Sequence, residues 1–390
     1  MLGDSAIMAN SSPRYEPHGW IQWPENEAYS LQFMKVLGLA QEGASTISEC
    51  FLTASRIIPG DDDSWLREWK NIAQESVARA KQALMRGNVE TAKNNWLRAS
   101  SYFRTAAVFL APSDKRASPI LAEMENCSRC YLAQMKPIGE VVEIPGENQR
   151  SLSAYFLRAP GAPPKTPVII GVSAFEEIKD DQLHNLPRHA FARGLSLLLV
   201  DLPQVQSFDA EIPIGLCVDY LWSRDDVDTE NIVLYGSKSG GSSVSRAASQ
   251  DHRFKAAVCD GGMWDQLERV AILEWTYNGR RSSDRTRSKF DELSKQLKQY
   301  DLARKISCPV LVVAGEYDSL DTKYMLEYCR RAKETGSDIQ LKIFSASETG
   351  ASVGQIDNPT LGNEFVFDWI AGQVRPGRSK RPAKRHLVSA

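Results

Sequence analysis

Five short runs in the second half of this chain are almost continuously aliphatic: PVIIGVSA from Pro167, LSLLLVDLP from Leu195, IVLYGS from Ile232, FKAAVCDGG from Phe254 and PVLVVAGEYD from Pro309. Strands that alternate apolar and polar residues keep one face in water; strands without alternation must be covered on both, as in a parallel sheet. Helical stretches separate the runs, at Asp181 to Arg193, Ile214 to Ser223, Ser242 to Ser249 and Asp321 to Thr335. Strand and helix therefore alternate, and the fold class is α/β with a doubly wound, mostly parallel sheet. Upstream, Gly139 to Ile144 and Leu152 to Leu157 do alternate, which predicts two strands with a solvated face.

Between Asn26 and about Lys136 the period lengthens to that of helices. Trp65, Trp69, Ile72, Val77, Ala80 and Leu84 recur at three- and four-residue spacing, Gly87-Asn88 stops that helix, and Ala92, Trp96, Ala99, Phe103, Ala106 and Leu110 form the face of a second that stops at Pro112. Tryptophans so spaced predict helix packing. The expected organisation is a flexible start over 1–25, a helical domain over 26–136, the α/β domain over 137–374 and a basic disordered tail over 375–390. Residues 262–301 interrupt the strand-helix rhythm with Trp264, Trp275 and a charged helix. Ligands of such sheets bind beyond the carboxyl ends of the strands, so this insertion and the N-terminal helices are expected to roof a pocket as a cap.

At the end of the third run stands Tyr235-Gly236-Ser237-Lys238-Ser239-Gly240-Gly241. It has the frame of a nucleophile elbow, G-x-S-x-G, in which a strand turns sharply into a helix and lifts the central side chain over the sheet edge. The central residue here is Lys238. The elbow predicts an α/β-hydrolase fold and at the same time questions hydrolysis. Ser237 and Ser239 flank the lysine, and a displaced serine nucleophile would lack a base, since no histidine lies between His252 and His386. Their expected role is turn and cap hydrogen bonding.

The chain resembles the α/β-hydrolases with an N-terminal helical domain that include fungal secondary-metabolite (polyketide) hydrolases of the melanin, fusarin and cytochalasan pathways and a bacterial carbon-carbon hydrolase of nicotine degradation. The resemblance rests on Trp96-Leu97-Arg98-Ala99-Ser100-Ser101-Tyr102-Phe103-Arg104, the stretch from Val227-Asp228 to Gly241, and Phe367-Asp368-Trp369-Ile370. It implies that the serine position is Lys238, the acid Asp318 in Gly315-Glu316-Tyr317-Asp318, and the histidine position Val353. The Ser-Asp-His order thus reads Lys238-Asp318-Val353, a degenerate triad. Loss of the serine or the histidine alone costs subtilisin about 10⁶ in turnover, so a serine-hydrolase mechanism is not expected.

Lys238 admits three readings. An amine nucleophile must shed its proton from an ordinary pKa of about 10.4, against at most ~2 kcal/mol of help from a helix N-terminus and with Asp318 opposing. A fixed ammonium could instead hold a carbonyl or enolate oxygen beside the backbone N–H of Ser239 and one from Val172 or Ser173, with Phe175 lining the pocket. That suits isomerisation, cyclisation or elimination on a hydrophobic small molecule. The third reading is an internal Lys238–Asp318 ion pair in a noncatalytic carrier; such pairs give little net stability, so packing alone does not demand one. The electrophile is placed first, the ion pair second and an atypical ester or carbon-carbon hydrolase third.

The rest of the sequence is plainer. Glu176, Glu177, Lys179, Asp180 and Asp181 read as a solvated helix start, and His184 as a helix-surface residue. With 47 basic and 49 acidic residues and a net charge of -2 there is no electrostatic case for nucleic acid. No phosphate-binding glycine motif, metal spacing or membrane-length apolar run occurs, so neither cofactor, metal nor membrane span is expected. Cys127 and Cys130 form a lone C-x-x-C read as helix residues. Seven cysteines, an odd number without a secretory signal, predict a cytoplasmic protein with reduced thiols. The oligomeric state stays open, with a homodimer admitted.

Overall fold

The computed structural model describes residues 23, 25–111, 113–146, 151–173, 177–202, 211–262, 303–317, 322–334 and 336–374. Phe175, Asp318, most of the predicted cap insertion and the basic tail lie outside the described residues.

Five helices come first: α1 (Glu27–Gly38), α2 (Ile47–Ala54), α3 (Asp62–Met85), α4 (Val89–Ala106) and α5 (Ala117–Ala133). Asp61 caps α3, its carboxylate accepting from the Asp63 and Ser64 N–H groups, and Gly87 in the left-handed region (φ 75°) ends it. Helix α4 closes at Ala106, a turn earlier than the apolar spacing predicts, because 107–109 continue as turns that still pack inward. The tryptophans are core: Trp65 and Trp69 are fully buried with ring centroids 5.8 Å apart, and Trp65 Nε1 donates to the Thr105 carbonyl at 2.8 Å.

The sheet follows as β1 (Glu140–Pro145), β2 (Ser151–Leu157), β3 (Thr166–Ser173), β4 (Ser196–Asp201), β5 (Val227–Ser237), β6 (Ala256–Asp260), β7 (Val310–Gly315) and β8 (Ile339–Phe344). Among the described residues the strand order is β1-β2-β4-β3-β5-β6-β7-β8. The β1–β2 and β2–β4 pairings are antiparallel and the rest parallel. Between strands lie α6 (Lys179–Asn185), α7 (Pro187–Phe191), α8 (Glu211–Trp222), α9 (Ser239–Gln250) and α10 (Thr322–Glu334), and α11 (Pro359–Val374) follows β8.

The aliphatic runs are buried from both sides, as an unalternated strand requires. In β5, Ile232 and Leu234 enter one core with Val168 and Ile170 of β3, while Val233 and Tyr235 enter the core on the opposite face with Ile169 and Phe367. The helical segment has its own core. No helix among the described residues is long and apolar enough to cross a membrane.

The strand order reverses direction at β3, whose neighbours are β4 and β5. Chain leaving the carboxyl ends of β3 and β5 therefore emerges side by side, and this crevice holds the candidate site.

Candidate active site

The elbow forms as the small residues dictate. Lys238 sits between β5 and α9 at φ 50° and ψ -119°, a conformation costly to a residue with a Cβ. Its N–H donates to the Asp260 carbonyl at 2.6 Å, and its own carbonyl accepts from Gly241 N–H at 3.1 Å. The glycines are obligatory for space. A Cβ on Gly236 would run into the Gly240 backbone, one on Gly240 would lie 2.7 Å from the Val172 carbonyl oxygen, and one on Gly241 would strike the Gly262 carbonyl.

The Lys238 ammonium donates to Glu177 Oε1 at 2.7 Å, and the other oxygen of that carboxylate accepts from Ser237 Oγ. Both side chains of the ion pair keep less than a fifth of their surface exposed. Burial pushes the Glu177 carboxyl up, but the Lys238 and Lys35 ammonium groups overcome it and hold the pKa below the ordinary carboxylate value. Glu177 is thus a fixed anion, poorly suited to serve as a base.

Behind the pair lies a second tier of charge. Asp181 of α6 accepts from Arg104 of α4 at 3.0 Å and faces Lys35 of α1 at 3.6 Å. Burial would raise the Asp181 pKa; Arg104 and Lys35 hold it well below the usual carboxylate range. The sharing is uneven. Asp181 raises the Arg104 pKa, whereas for Lys35, farther from the carboxylate and near Lys238, burial outweighs Asp181 and lowers it, though 28% of that side chain stays open to the chamber. His184 Nε2 lies 2.9 Å from Ser100 Oγ, and burial holds the imidazole down at about 4, hence neutral at pH 7.

These contacts correct two expectations. The acidic run at the start of α6 is not a solvated face, since Lys179 and Asp180 are buried, the Asp181 side chain is 7% exposed and Glu177 is engaged at the elbow, while Glu176 lies outside the described residues. His184 is 2% exposed and belongs to the interface between α6 and α4, not to a helix surface. Helices α1 and α4 cover the α6 segment, so its charges meet charges of the helical segment instead of water. Glu177 was missed as a site residue. The signal that could have found it is topological: it follows β3 by four residues, and β3 lies beside β5, with Val172 paired to Gly236.

Of the other expected site residues, Val172 is fully buried within β3 and laddered to Val200 and Gly236, while Ser173 closes the strand opposite Asp201. Ser239 begins α9 at the elbow. Val353 opens a single 3-10 turn, Val353–Gln355, which brings its loop against the lysine: a Cβ on Gly354 would lie 3.4 Å from Lys238 Cε. The loop expected to carry a histidine therefore reaches the elbow and presents glycine and glutamine there. Lys35 of α1, Leu39 just after it, Glu177, Tyr235, Lys238 and Gln355 are among the walls of a chamber of about 60 Å³. Lys35 and Leu39 are thus the described residues of the helical segment that reach this chamber.

Comparison with known proteins agrees with this architecture. A model of the prolyl oligopeptidase family matches residues 214–374. The 20-hydroxy-prefusarin hydrolase FUS2 of Gibberella moniliformis is 26% identical over 275 residues, 65% of this chain and 65% of its own length. Hydrolase LUC6 of a Fusarium species is 27% identical over 281 residues, 64% of this chain and 65% of its own. The chain thus matches just under two thirds of the length of these relatives, both named as hydrolases. Among solved structures, the 2,6-dihydroxy-pseudo-oxynicotine hydrolase superposes with a TM-score of 0.71 at 16% identity, covering 90% of this chain and 99% of that one. That likeness speaks to the fold.

Proposed function

We propose that this chain, which has the α/β-hydrolase fold, is a tailoring enzyme of fungal-type secondary metabolism that acts on a hydrophobic polyketide or polyketide-peptide by a nonhydrolytic step. The observation that carries this reading is the Lys238 ammonium, raised on an intact elbow and fixed by Glu177 at 2.7 Å at the edge of the chamber. A fixed cation aimed into a partly desolvated site stabilises negative charge as it develops on a carbonyl oxygen, and needs no reorganisation to do so. Substrate held under the N-terminal helices gains the orientation that isomerisation, cyclisation or elimination requires. A triad reading Lys238-Asp318-Val353 has no histidine to deprotonate a nucleophile or water. The seven cysteines are all free, which supports a cytoplasmic setting.

The same ion pair favours a second reading, a noncatalytic pseudo-hydrolase carrier, because Glu177 already occupies part of the ammonium. Turnover separates the two. Pathway intermediates accumulated by a host lacking the gene, incubated with purified protein, are expected to give a product of unchanged mass or one short of a water. Lys238→Met should lower the rate by about 10²–10³-fold, the usual loss for one oxyanion donor, with Lys238→Arg retaining part of it. Equal turnover by Lys238→Met would remove the lysine from the chemistry, and a product that has gained a water would establish hydrolysis instead. Borohydride should leave Lys238 unmodified in the presence of substrate.

A further inference from the structure

Three lysines are drawn in between the helical segment and the sheet, and they are held differently. The Lys179 ammonium donates to Asp201 Oδ2 at 3.0 Å and lies 4.9 Å from the centre of the Tyr155 ring. The Lys238 ammonium donates to Glu177 Oε1 at 2.7 Å. Lys35 of α1 donates no side-chain hydrogen bond among the described residues. Its ion-pair partner there, Asp181 Oδ1, stands 3.6 Å away, beyond hydrogen-bond reach, and the other oxygen of that carboxylate accepts from Arg104 at 3.0 Å. Lys35 Nζ is nonetheless not one of the buried polar atoms that lack a partner, so the nitrogen itself meets open space.

Lys35 lines the chamber together with Lys238, and it also lines the hollow beside it, whose walls include Val36, Leu39 and Val108. The groups around it pull both ways. Burial lowers the Lys35 pKa and the cations of Lys238 at the elbow and Arg104 of α4 add to this; Asp181 of α6 and Glu177 just before that helix oppose it. The carbonyl end of α1, in whose last turn Lys35 lies, opposes it too. His184 of α6 lines the same hollow and is neutral at pH 7. Lowering prevails on balance. A lysine that is desolvated, or set beside another cation, is the kind that reacts as an amine near neutral pH.

We propose that Lys35, and not Lys238, is the amine nucleophile of this chamber, forming an imine with an aldehyde or ketone carbonyl whose oxygen the Lys238 ammonium holds. The proton that Lys35 sheds passes to solvent. The freed electron pair on Nζ makes the C–N bond, and the C=O π pair moves to oxygen. That oxygen takes one proton from the nitrogen and one from solvent and leaves as water, which gives the protonated imine. Such an imine draws on the electron pair of a neighbouring C–H bond, so an isomerisation or elimination can run through an enamine, the carbon's proton going to solvent. Addition of water restores the amine. This goes beyond the reading of Lys238 as a fixed cation, and rests on it only in taking the chamber as the substrate site.

Pentane-2,4-dione tests this on the full chain without turnover. It condenses with a neutral amine, losing one water, to an enaminone that is stable without a reductant, and peptide mapping by mass spectrometry locates the adduct. At pH 7 Lys35 is expected to be labelled about tenfold or more faster than exposed lysines such as Lys70 and Lys115, because each unit by which a lysine pKa falls raises its free-amine fraction about tenfold. Half-maximal labelling should come below about pH 10.4, the ordinary lysine value. Lys238→Met removes a neighbouring cation and leaves Glu177 without its partner; both favour the Lys35 ammonium, so labelling of Lys35 at pH 7 should slow. Lys35→Met should lose the fast adduct. A Lys35 that serves only as counter-ion to Asp181 stays protonated. Labelling of Lys35 no faster than that of Lys70, fast labelling at Lys238 instead, or a rate that Lys238→Met leaves unchanged or raises overturns the proposal. The parent's map decides the first two even where a variant fails to fold. Turnover is read separately, so failure here leaves the Lys238 reading standing, and loss of that reading leaves the Lys35 adduct to be seen.

Discussion

The elbow and the segment that leads into α6 stand face to face across the same ion pair, yet one is readable in the sequence and the other is not. Gly236 to Gly241 is specified by sterics: a Cβ on Gly236 would strike the Gly240 backbone within the elbow, one on Gly240 or Gly241 would strike backbone of β3 or of the turn after β6, and in each case the requirement shows as a glycine in the motif itself. Glu177 to Asp181 carries charge at every position but Ile178, a composition that in an isolated helix belongs in water. Its burial is imposed from a distance, by Lys35 some 140 residues earlier on α1 and by Arg104 on α4. A steric frame is written in its own glycines and survives substitution at its centre; the fate of a charged segment depends on what the fold lays over it.

The strongest way to break this comparison is to treat the α6 charges as if they were solvated. Asp181→Ala strips the shared counter-ion from Arg104 and Lys35, and removing one partner of a buried charge cluster costs about 3–5 kcal/mol. Denaturant unfolding measures it. A surface carboxylate would cost less than about 0.5 kcal/mol, and such a result would restore the solvated reading.

A somewhat smaller loss should come from the elbow. Gly240→Ala places a methyl 2.7 Å from the Val172 carbonyl oxygen, where the opposing group is backbone and cannot swing away. Overpacking of this kind costs about 1–3 kcal/mol, and the same denaturant titration should show it. A neutral outcome means that the elbow relaxes freely, and the glycines were then not what made it legible.

The five aliphatic runs illustrate why the rest of the fold could be read. Burial on both faces leaves a composition that no other arrangement explains, and β3 to β7 follow it, down to Ile232 and Val233 entering opposite cores. The end of α4 was misjudged by one turn because Leu110 keeps its inward position in the turns that follow Ala106, so apolar spacing outlasts the helix. Lys238 was singled out by its motif. Glu177 and Gln355 carry no motif; they become site residues only through the adjacency of β3, β5 and the loop after β8, which exists in the folded sheet alone.

The gentlest test uses pH and His184. Its imidazole is held down at about 4 by burial, with Asp181 opposing and Lys35 and Arg104 reinforcing, against about 6.5 in the unfolded chain. The unfolded state therefore binds the extra proton between those values, and the stability this residue contributes is complete above about pH 6.5 and lost as pH falls toward 4. Asp180 slopes the other way: burial raises its carboxyl to about 6, so its contribution is complete below the unfolded value and lost as pH rises through about 6. A profile of the parent alone would mix the two. Comparison with His184→Gln cancels Asp180, which both proteins share. Between about pH 7.5 and about pH 5.5 the parent should lose about 1 kcal/mol more than the variant. Parallel profiles would mean that the imidazole titrates as it does in water, and that α4 does not seal α6 from solvent at the residue where the contrast between the two regions is finest.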